Sequence, residues 1–492
     1  MNQRVSGLLM HISSLPGPYG IGDFGPAAYD FVETLKETGT TCWQILPLGI
    51  TGFGDSPYQS VSAFAGNPYF IDLGALLEEG YLSAEEIEEK KLNDSPESVD
   101  YGRLYERKLP LLRAAYARAK ESLAPRLEAF LQGEHWLEDF ALFMALKTAH
   151  GGVSWLQWPK AYRLRDAQAL ADFREEHAEE VGFWVFTQYY FFQQWSHLKT
   201  YANERGVAIV GDIPIYVALD SADLWRDPHL FLLDEALNPV ALAGCPPDQF
   251  TDEGQLWGNP LYRWDEMAKT GYRWWILRLR ESLRLYDWVR IDHFRGFESY
   301  WSIPAQAPSA RFGRWEKGPG MDLFEALREE FGEMPILAEN LGFLTDEVEE
   351  LIEKTGFPGM NVLVFAFDPY GDSQYLPHHY IKNSVVYTSN HDTPTARGFI
   401  EAASEQERAF ALAYVAAASE HFAHELMRTA WASVSMMALA PIQDVLNLDS
   451  SARFNTPSTL GTNWHWRMRQ GALTPQHREY LKELNRIYRR IP

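Results

Sequence analysis

The chain has 492 residues, 67 acidic against 44 basic side chains, a formal net charge of −23 and 46% hydrophobic residues. That length exceeds one minimal domain and fits a large barrel with insertions. The charge excludes nucleic acid and anionic membrane as expected partners, because both require basic patches. Two cysteines, Cys42 and Cys245, are too few for a disulfide framework, and no CxxC spacing is present. No apolar run approaches the roughly 18 residues of a membrane span. A strand starts soon after Met1, with no long apolar signal region, so the cytoplasm is the expected location. The aromatic share of 14%, with 17 Trp, offers both core area and flat faces with a polar handle.

Residues 8–12 read as a first strand, and residues 15–25 as a Pro/Gly-rich loop. A helix starts at Pro26, a residue suited to a first helical position. It places Ala28, Phe31, Val32 and Leu35 on one face and ends at Gly39. Residues 41–47 form the second strand, which completes a βαβ unit. An insertion follows over 48–205, a glycine- and aromatic-rich loop and then acidic amphipathic helices, one opened by the capping box Ser83-Ala84-Glu85-Glu86. The third strand is 207–212. A second insertion over 216–286 carries Gly244-Cys245-Pro246-Pro247-Asp248 and Gln255-Leu256-Trp257-Gly258-Asn259-Pro260. Residues 287–292, 335–340, 360–367, 384–387 and 434–440 supply strands four to eight. The fold class is α/β: a (β/α)8 TIM barrel spanning 1–492, with large helical and loop insertions after the second and third strands. Both insertions leave the face where the strands end, so they are expected to wall a cleft.

Three strands end in chemistry. The run Arg290-Ile291-Asp292-His293 closes the fourth, Glu339 the fifth, and His391-Asp392 follows the seventh. Charge in a buried strand is costly unless paired or used. In a parallel barrel the C-terminal strand ends converge on one face, where catalytic groups gather. Each acid alone reads equally well as an ion-pair partner; three together point to glycoside chemistry. Retention at a glycosidic bond needs a carboxylate nucleophile and a nearby carboxylic acid. Arg290, two residues before Asp292 and so on the same strand face, is placed to keep Asp292 ionised. Glu339 is expected to be the acid, raised by neighbouring charge and burial. Asp392 is expected to favour the cation-like transition state, with His293 and His391 as hydroxyl donors. Asp292, His293, His391 and Asp392 also offer a metal-ligand set. The first strand offers one histidine, His11, where many metal-dependent barrels carry His-x-His, so no metal and no cofactor is expected.

Gly211-Asp212-Ile213-Pro214, Arg290-Ile291-Asp292-His293, Ala338-Glu339-Asn340-Leu341-Gly342 and Asn390-His391-Asp392 follow the four ordered signature regions of the α-amylase clan. Together with His11-Ile12-Ser13-Ser14-Leu15-Pro16, Gly54-Asp55-Ser56-Pro57-Tyr58-Gln59, Phe64-Ala65-Gly66-Asn67-Pro68-Tyr69 and Trp257-Gly258-Asn259-Pro260-Leu261-Tyr262, they make the chain similar to the amylomaltases. These are the 4-α-glucanotransferases of glycoside hydrolase family seventy-seven, and the similarity runs from about Gly7 to Trp466. The resemblance implies Asp292 as nucleophile, Glu339 as general acid/base and Asp392 as transition-state stabiliser. Arg290, His293 and His391 match residues contacting the sugar at the cleavage point, and Asp212 an acid that supports the site. Tyr58 falls in the loop where acceptor sugars stack. Asp248, Trp257 and Asn463 fall in segments lining the glucan groove. Phe53 stands where many members carry tyrosine, and Thr393-Pro394-Thr395 where some carry Asn-Asp-Thr; both departures bear on chain-length preference.

The implied reaction cleaves an α-1,4-glucan and passes the donor portion to the 4-hydroxyl of another glucan or of glucose; intramolecular transfer gives cycloamylose. Transfer requires exclusion of water. The loop 52–58 has the glycines to move and the rings to stack, and the loop 244–258 faces it. Two alternatives stay open: an α-1,4-glucan hydrolase, and a non-catalytic glucan-binding protein, which would be expected to have lost one of the acids. The oligomeric state is left between monomer and weak homodimer.

Overall fold

The computed structural model describes residues 4–247, 252–342, 344–459 and 461–491. Eight strands run β1 (Val5–Leu9), β2 (Cys42–Gln44), β3 (Ala208–Pro214), β4 (Trp288–Asp292), β5 (Ile336–Ala338), β6 (Gly359–Val362), β7 (Ser384–Tyr387) and β8 (Met437–Pro441). Each pairs in parallel with its neighbours in chain order, and β8 returns to β1 to close the barrel. This is the expected (β/α)8 architecture. The first helix, Pro26–Thr38, buries Ala28, Phe31, Val32 and Leu35. It stops at Gly39, whose left-handed backbone (φ 71°) returns its N–H to the Leu35 and Lys36 carbonyls.

The strands are shorter and shifted relative to their apolar runs. β1 starts at Val5 rather than at residue 8, and Ile12–Ser14 is a 3₁₀ turn. β2 stops at Gln44, although the Ile45 N–H still reaches the Val210 carbonyl at 2.9 Å. β6 gives way after Val362 to a 3₁₀ turn, Leu363–Phe365. A continuous apolar run reads alike as strand or buried turn, because both are covered on every side. On β3, Gly211 is required by contact: a Cβ there would lie 2.1 Å from Cγ of Tyr286.

Between β2 and β3 the chain builds Leu109–Gly133, Leu137–Ala149 and the long helix Ala178–Glu204. That last helix returns to the barrel: Trp195 Nε1 donates to the Leu285 carbonyl, and Tyr201 donates to Glu33 on the first helix. A second, antiparallel sheet had no counterpart in the sequence reading. Its order is Gln255–Pro260, Ala241–Cys245, Ser299–Pro304, Arg314–Lys317. Two of its strands come from the insertion after β3, and two from a hairpin after β4. Much of the aromatic content is core: Trp43, Trp155, Trp195, Trp225, Trp275 and Trp431 are each less than 2% exposed. Cys42 is buried and Cys245 half-buried, and the two are not joined to each other. Among the described residues no helix is long and apolar enough to cross a membrane.

Candidate active site

The site grows from the pairing of β3 with β4, which sets Asp212 opposite Arg290. Both are buried. Arg290 Nη1 donates to both Asp212 oxygens, at 2.7 and 2.6 Å, and Nη2 donates to Asp292 Oδ1 at 2.9 Å. One guanidinium thus compensates two carboxylates, the arrangement that makes a buried cation tolerable.

The next residue turns the chain. His293 adopts the left-handed conformation (φ 57°), uncommon for a residue with a Cβ. The turn aims its backbone N–H at Glu339 Oε2, 2.8 Å away, while the Leu341 N–H reaches Oε1 at 2.8 Å. The Glu339 carboxyl is therefore held at both oxygens by backbone, beyond the end of β5, the strand next to β4. The His293 ring meets the edge of Trp257 at 4.7 Å and 86°.

Asp392 is held from three sides. Its Oδ1 accepts from Asn455 Nδ2 at 2.7 Å, and its Oδ2 lies 3.2 Å from His391 Nε2. Its backbone N–H donates to Asn390 Oδ1 at 2.9 Å, and its carbonyl accepts from Arg453 Nη2 at 2.8 Å. Tyr58 closes the network. Its hydroxyl lies 3.0 Å from Asp212 Oδ2 and 2.9 Å from His391 Nε2, and its ring stacks on the imidazole at 5.2 Å and 15°.

The charges divide the acids. Burial alone would raise the Asp392 carboxyl, but the imidazolium of His391 and the Asn455 amide take it well below the carboxylate range. Burial works against the charged His391 ring, yet Asp392 raises its pKa overall. Asp292 and Glu339 go the other way. Burial outweighs Arg290, and the mutual charge of the acids adds to it, so the Asp292 carboxyl is pushed up to about 7. Glu339 is also raised, by burial first, with Arg290 and two backbone N–H groups opposing. Arg290 does contact Asp292 as expected from the sequence, but it does not by itself keep that acid low.

Asp292, Glu339, Asp392, Arg290, His293, His391, Tyr58, Asp212 and Trp257 thus converge. Asn463 takes a different position: its Oδ1 accepts from the Thr456 N–H at 3.0 Å and its Nδ2 donates to the Thr459 carbonyl at 2.9 Å, so its side chain shapes its own loop. Asp248 and the Phe53 side chain lie outside the described residues. The sequence reading missed Asn455 and Arg453, which sit in a loop after β8 with no periodicity; their only signal was polarity beyond the last strand. Two loops meet over the site. Gln59 Nε2 donates to Asn259 Oδ1 at 2.9 Å and to the Trp257 carbonyl at 3.3 Å. Asp55, in the same 52–59 loop, lies 3.6 Å from His465 Nε2.

A closed parallel barrel with three acids at its C-terminal strand ends is the architecture of a glycoside-bond enzyme. The sequence model of the family described as 4-alpha-glucanotransferase, glycoside hydrolase family seventy-seven, matches residues 10–474, and the chain belongs to that family. It is 52% identical to the 4-alpha-glucanotransferase of Streptococcus pneumoniae serotype 4, covering 100% of this chain and 98% of that one. It is 49% identical to the 4-alpha-glucanotransferase of Thermus thermophilus, over 99% of each. The structure superposes on the amylomaltase from Streptococcus agalactiae in complex with acarbose with a TM-score of 0.98, at 43% identity and 100% coverage of both. The chain is a glucan-transferring enzyme, and α-1,4-glucans are its substrate class.

Proposed function

We propose that the enzyme works by retaining double displacement. Asp292 attacks the anomeric carbon, while Glu339 protonates the departing glycosidic oxygen. The same Glu339 then deprotonates the incoming 4-hydroxyl of a second glucan or of glucose, which releases the covalent glycosyl-enzyme. The observation that carries this reading is the raised Asp292–Glu339 pair on neighbouring strands. Two carboxyls that disfavour joint ionisation hold one proton between them, and the chemistry needs one anion and one acid. Arg290 donates a charge-assisted bond to Asp292, whereas Glu339 receives only neutral N–H donors. That difference favours the anion on Asp292 and the proton on Glu339.

Asp392 remains ionised throughout, fixed by His391 and Asn455, and meets the sugar hydroxyls as positive charge develops at the ring. Arg290, His293, His391 and Tyr58 frame the donor sugar at the cleavage point, with Asp212 as the buried anchor of Arg290 and Tyr58. Trp257 and the Asn463 loop extend the groove. The segments 48–205 and 216–286 act as its walls, and the loop 52–58 with the strand Gln255–Pro260 excludes water so that sugar competes for the intermediate. A donor long enough to fold back gives cycloamylose. We place the protein in the cytoplasm, where a reduced thiol such as that of buried Cys42 persists.

The test is incubation of the purified protein with maltotriose, following products and total reducing ends together. Glucose plus a ladder of longer maltodextrins at constant reducing ends is the expected result, abolished by Asp292→Asn and by Glu339→Gln. Rising reducing ends without longer products would make the enzyme a hydrolase.

A further inference from the structure

A group of side chains outside the cleft is arranged for a different purpose. The connection from β6 to β7 carries Asp372 and, in the 3₁₀ turn Pro377–His379, two adjacent histidines. The rings of His378 and His379 sit 4.3 Å apart, inclined at 55°. Both turn Nε2 toward one carboxylate oxygen: Asp372 Oδ1 is 2.7 Å from His379 Nε2 and 3.8 Å from His378 Nε2. We propose that Asp372, His378 and His379 form a binding site for one divalent transition-metal ion of the zinc type.

The donor set selects the metal class. Two imidazole nitrogens with one carboxylate oxygen suit Zn²⁺ and its neighbours, whereas Ca²⁺ and Mg²⁺ require oxygen ligands. The spacing fits as well. One donor atom from each residue lies within 4.8 Å of the others. Tetrahedral Zn²⁺ with nitrogen at about 2.0 Å separates its donors by roughly 3.3 Å. That value falls between the 2.7 and 3.8 Å observed, so shifts of about half an ångström in exposed side chains complete the geometry. The side chains are 37–73% exposed, which leaves water to fill the fourth position.

A simple ion pair accounts for the 2.7 Å contact of His379 but not for His378, since two imidazolium rings side by side would repel. A metal ion binds both rings neutral. The far nitrogen of His378 supports this: its Nδ1 is 3.2 Å from the Tyr414 hydroxyl. With Nδ1 as the donor of that bond, the Nε2 lone pair is left on the Asp372 side, the outer-shell arrangement typical of metal-bound histidine.

The turn end of the connection is already anchored, with the Tyr380 hydroxyl on the Tyr375 carbonyl at 2.6 Å. A metal ion would tie the Asp372 end to it. Between the two lies Tyr375, whose hydroxyl rests against the Gly342 backbone near Glu339. The site therefore braces the connection that flanks the Glu339 segment.

The experiment uses untagged, chelator-stripped full-length protein titrated with Zn²⁺ by calorimetry, alongside hydrogen exchange over residues 366–380. One equivalent of Zn²⁺ should bind and slow exchange in that segment. The double variant His378→Ala, His379→Ala, at exposed positions that leave the fold intact, should lose that equivalent and the protection. Tyr414→Phe should weaken binding by about tenfold. Equal binding by wild type and the double variant, or no stoichiometric binding to wild type, would overturn the proposal.

Discussion

Tyr58 and His391 lie ring on ring at 5.2 Å, and the tyrosine hydroxyl sits 2.9 Å from the imidazole nitrogen that also faces Asp392. Because the same hydroxyl lies 3.0 Å from Asp212 Oδ2, one phenol connects the buried anchor of Arg290 to the acid on the opposite side of the site. If Tyr58 donates to Asp212, His391 must supply the proton of the second bond, which fits a ring whose pKa Asp392 raises.

Tyr58→Phe keeps the stacking and removes the bridge. A hydrogen bond to a charged group contributes about 1.5–3 kcal/mol, so kcat/KM for maltotriose disproportionation should fall by about ten- to a hundredfold. Steady-state kinetics checks this. An unchanged value would mean that the hydroxyl does not organise the site.

Asn455 is expected to act through Asp392. Asn455→Ala should lower kcat about tenfold with little change in KM, since the affected interaction strengthens in the transition state. Asn455→Asp should be worse, because it sets a second carboxylate against Asp392 Oδ1. A change confined to KM would instead assign Asn455 to ground-state binding.

The Asp292–Glu339 pair sets the pH dependence. The working form carries one proton on the pair. On the proposed roles, the second carboxyl protonates and the nucleophile is lost as pH falls, and the last proton leaves the pair and the acid is lost as pH rises. A bell-shaped profile of kcat/KM is expected with maltotriose. With α-maltosyl fluoride, whose leaving group needs no proton, the alkaline limb should disappear. Its persistence would assign that limb elsewhere.

Asp292→Asn should give an inactive but more stable protein. An unfolded Asp titrates near about 3.9, whereas the folded one is raised to about 7. Between these values the unfolded chain has released a proton that the folded Asp292–Glu339 pair keeps, so stability falls across that window and the full penalty remains above it. The amide removes the penalty. Because the Asp292 side chain is 30% exposed, the gain is discounted to about 1–2 kcal/mol. Melting temperatures at pH 4 and pH 8 test the sign: the variant's advantage should appear at pH 8 and shrink at pH 4.

The acids and the barrel were legible because both follow from one pattern, β-rich runs that end in charge. Arg290 was legible as the partner of Asp292 from the two-residue repeat of a strand. Its second partner, Asp212, was not, because lateral register between strands leaves no trace in local sequence. Asn455 and Arg453 were hidden for the same reason: they reach Asp392 from a loop whose shape no periodicity encodes. The sheet containing Ala241–Cys245 was unread because its partner hairpin, Ser299–Pro304 with Arg314–Lys317, follows a different barrel strand. Asn463 was placed by its segment alone, and what the sequence did not reveal is that its amide bonds Thr456 and Thr459 within its own loop.

Gln59 joins the loop after β2 to the strand that carries Trp257, and Asp55 joins the same loop to His465 on the far side. Three chain segments are thus tied together at the cleft rather than standing as independent flaps. A displacement of either outer segment bears on the middle one through Gln59 or Asp55, so the two sides of the opening are not independent of each other.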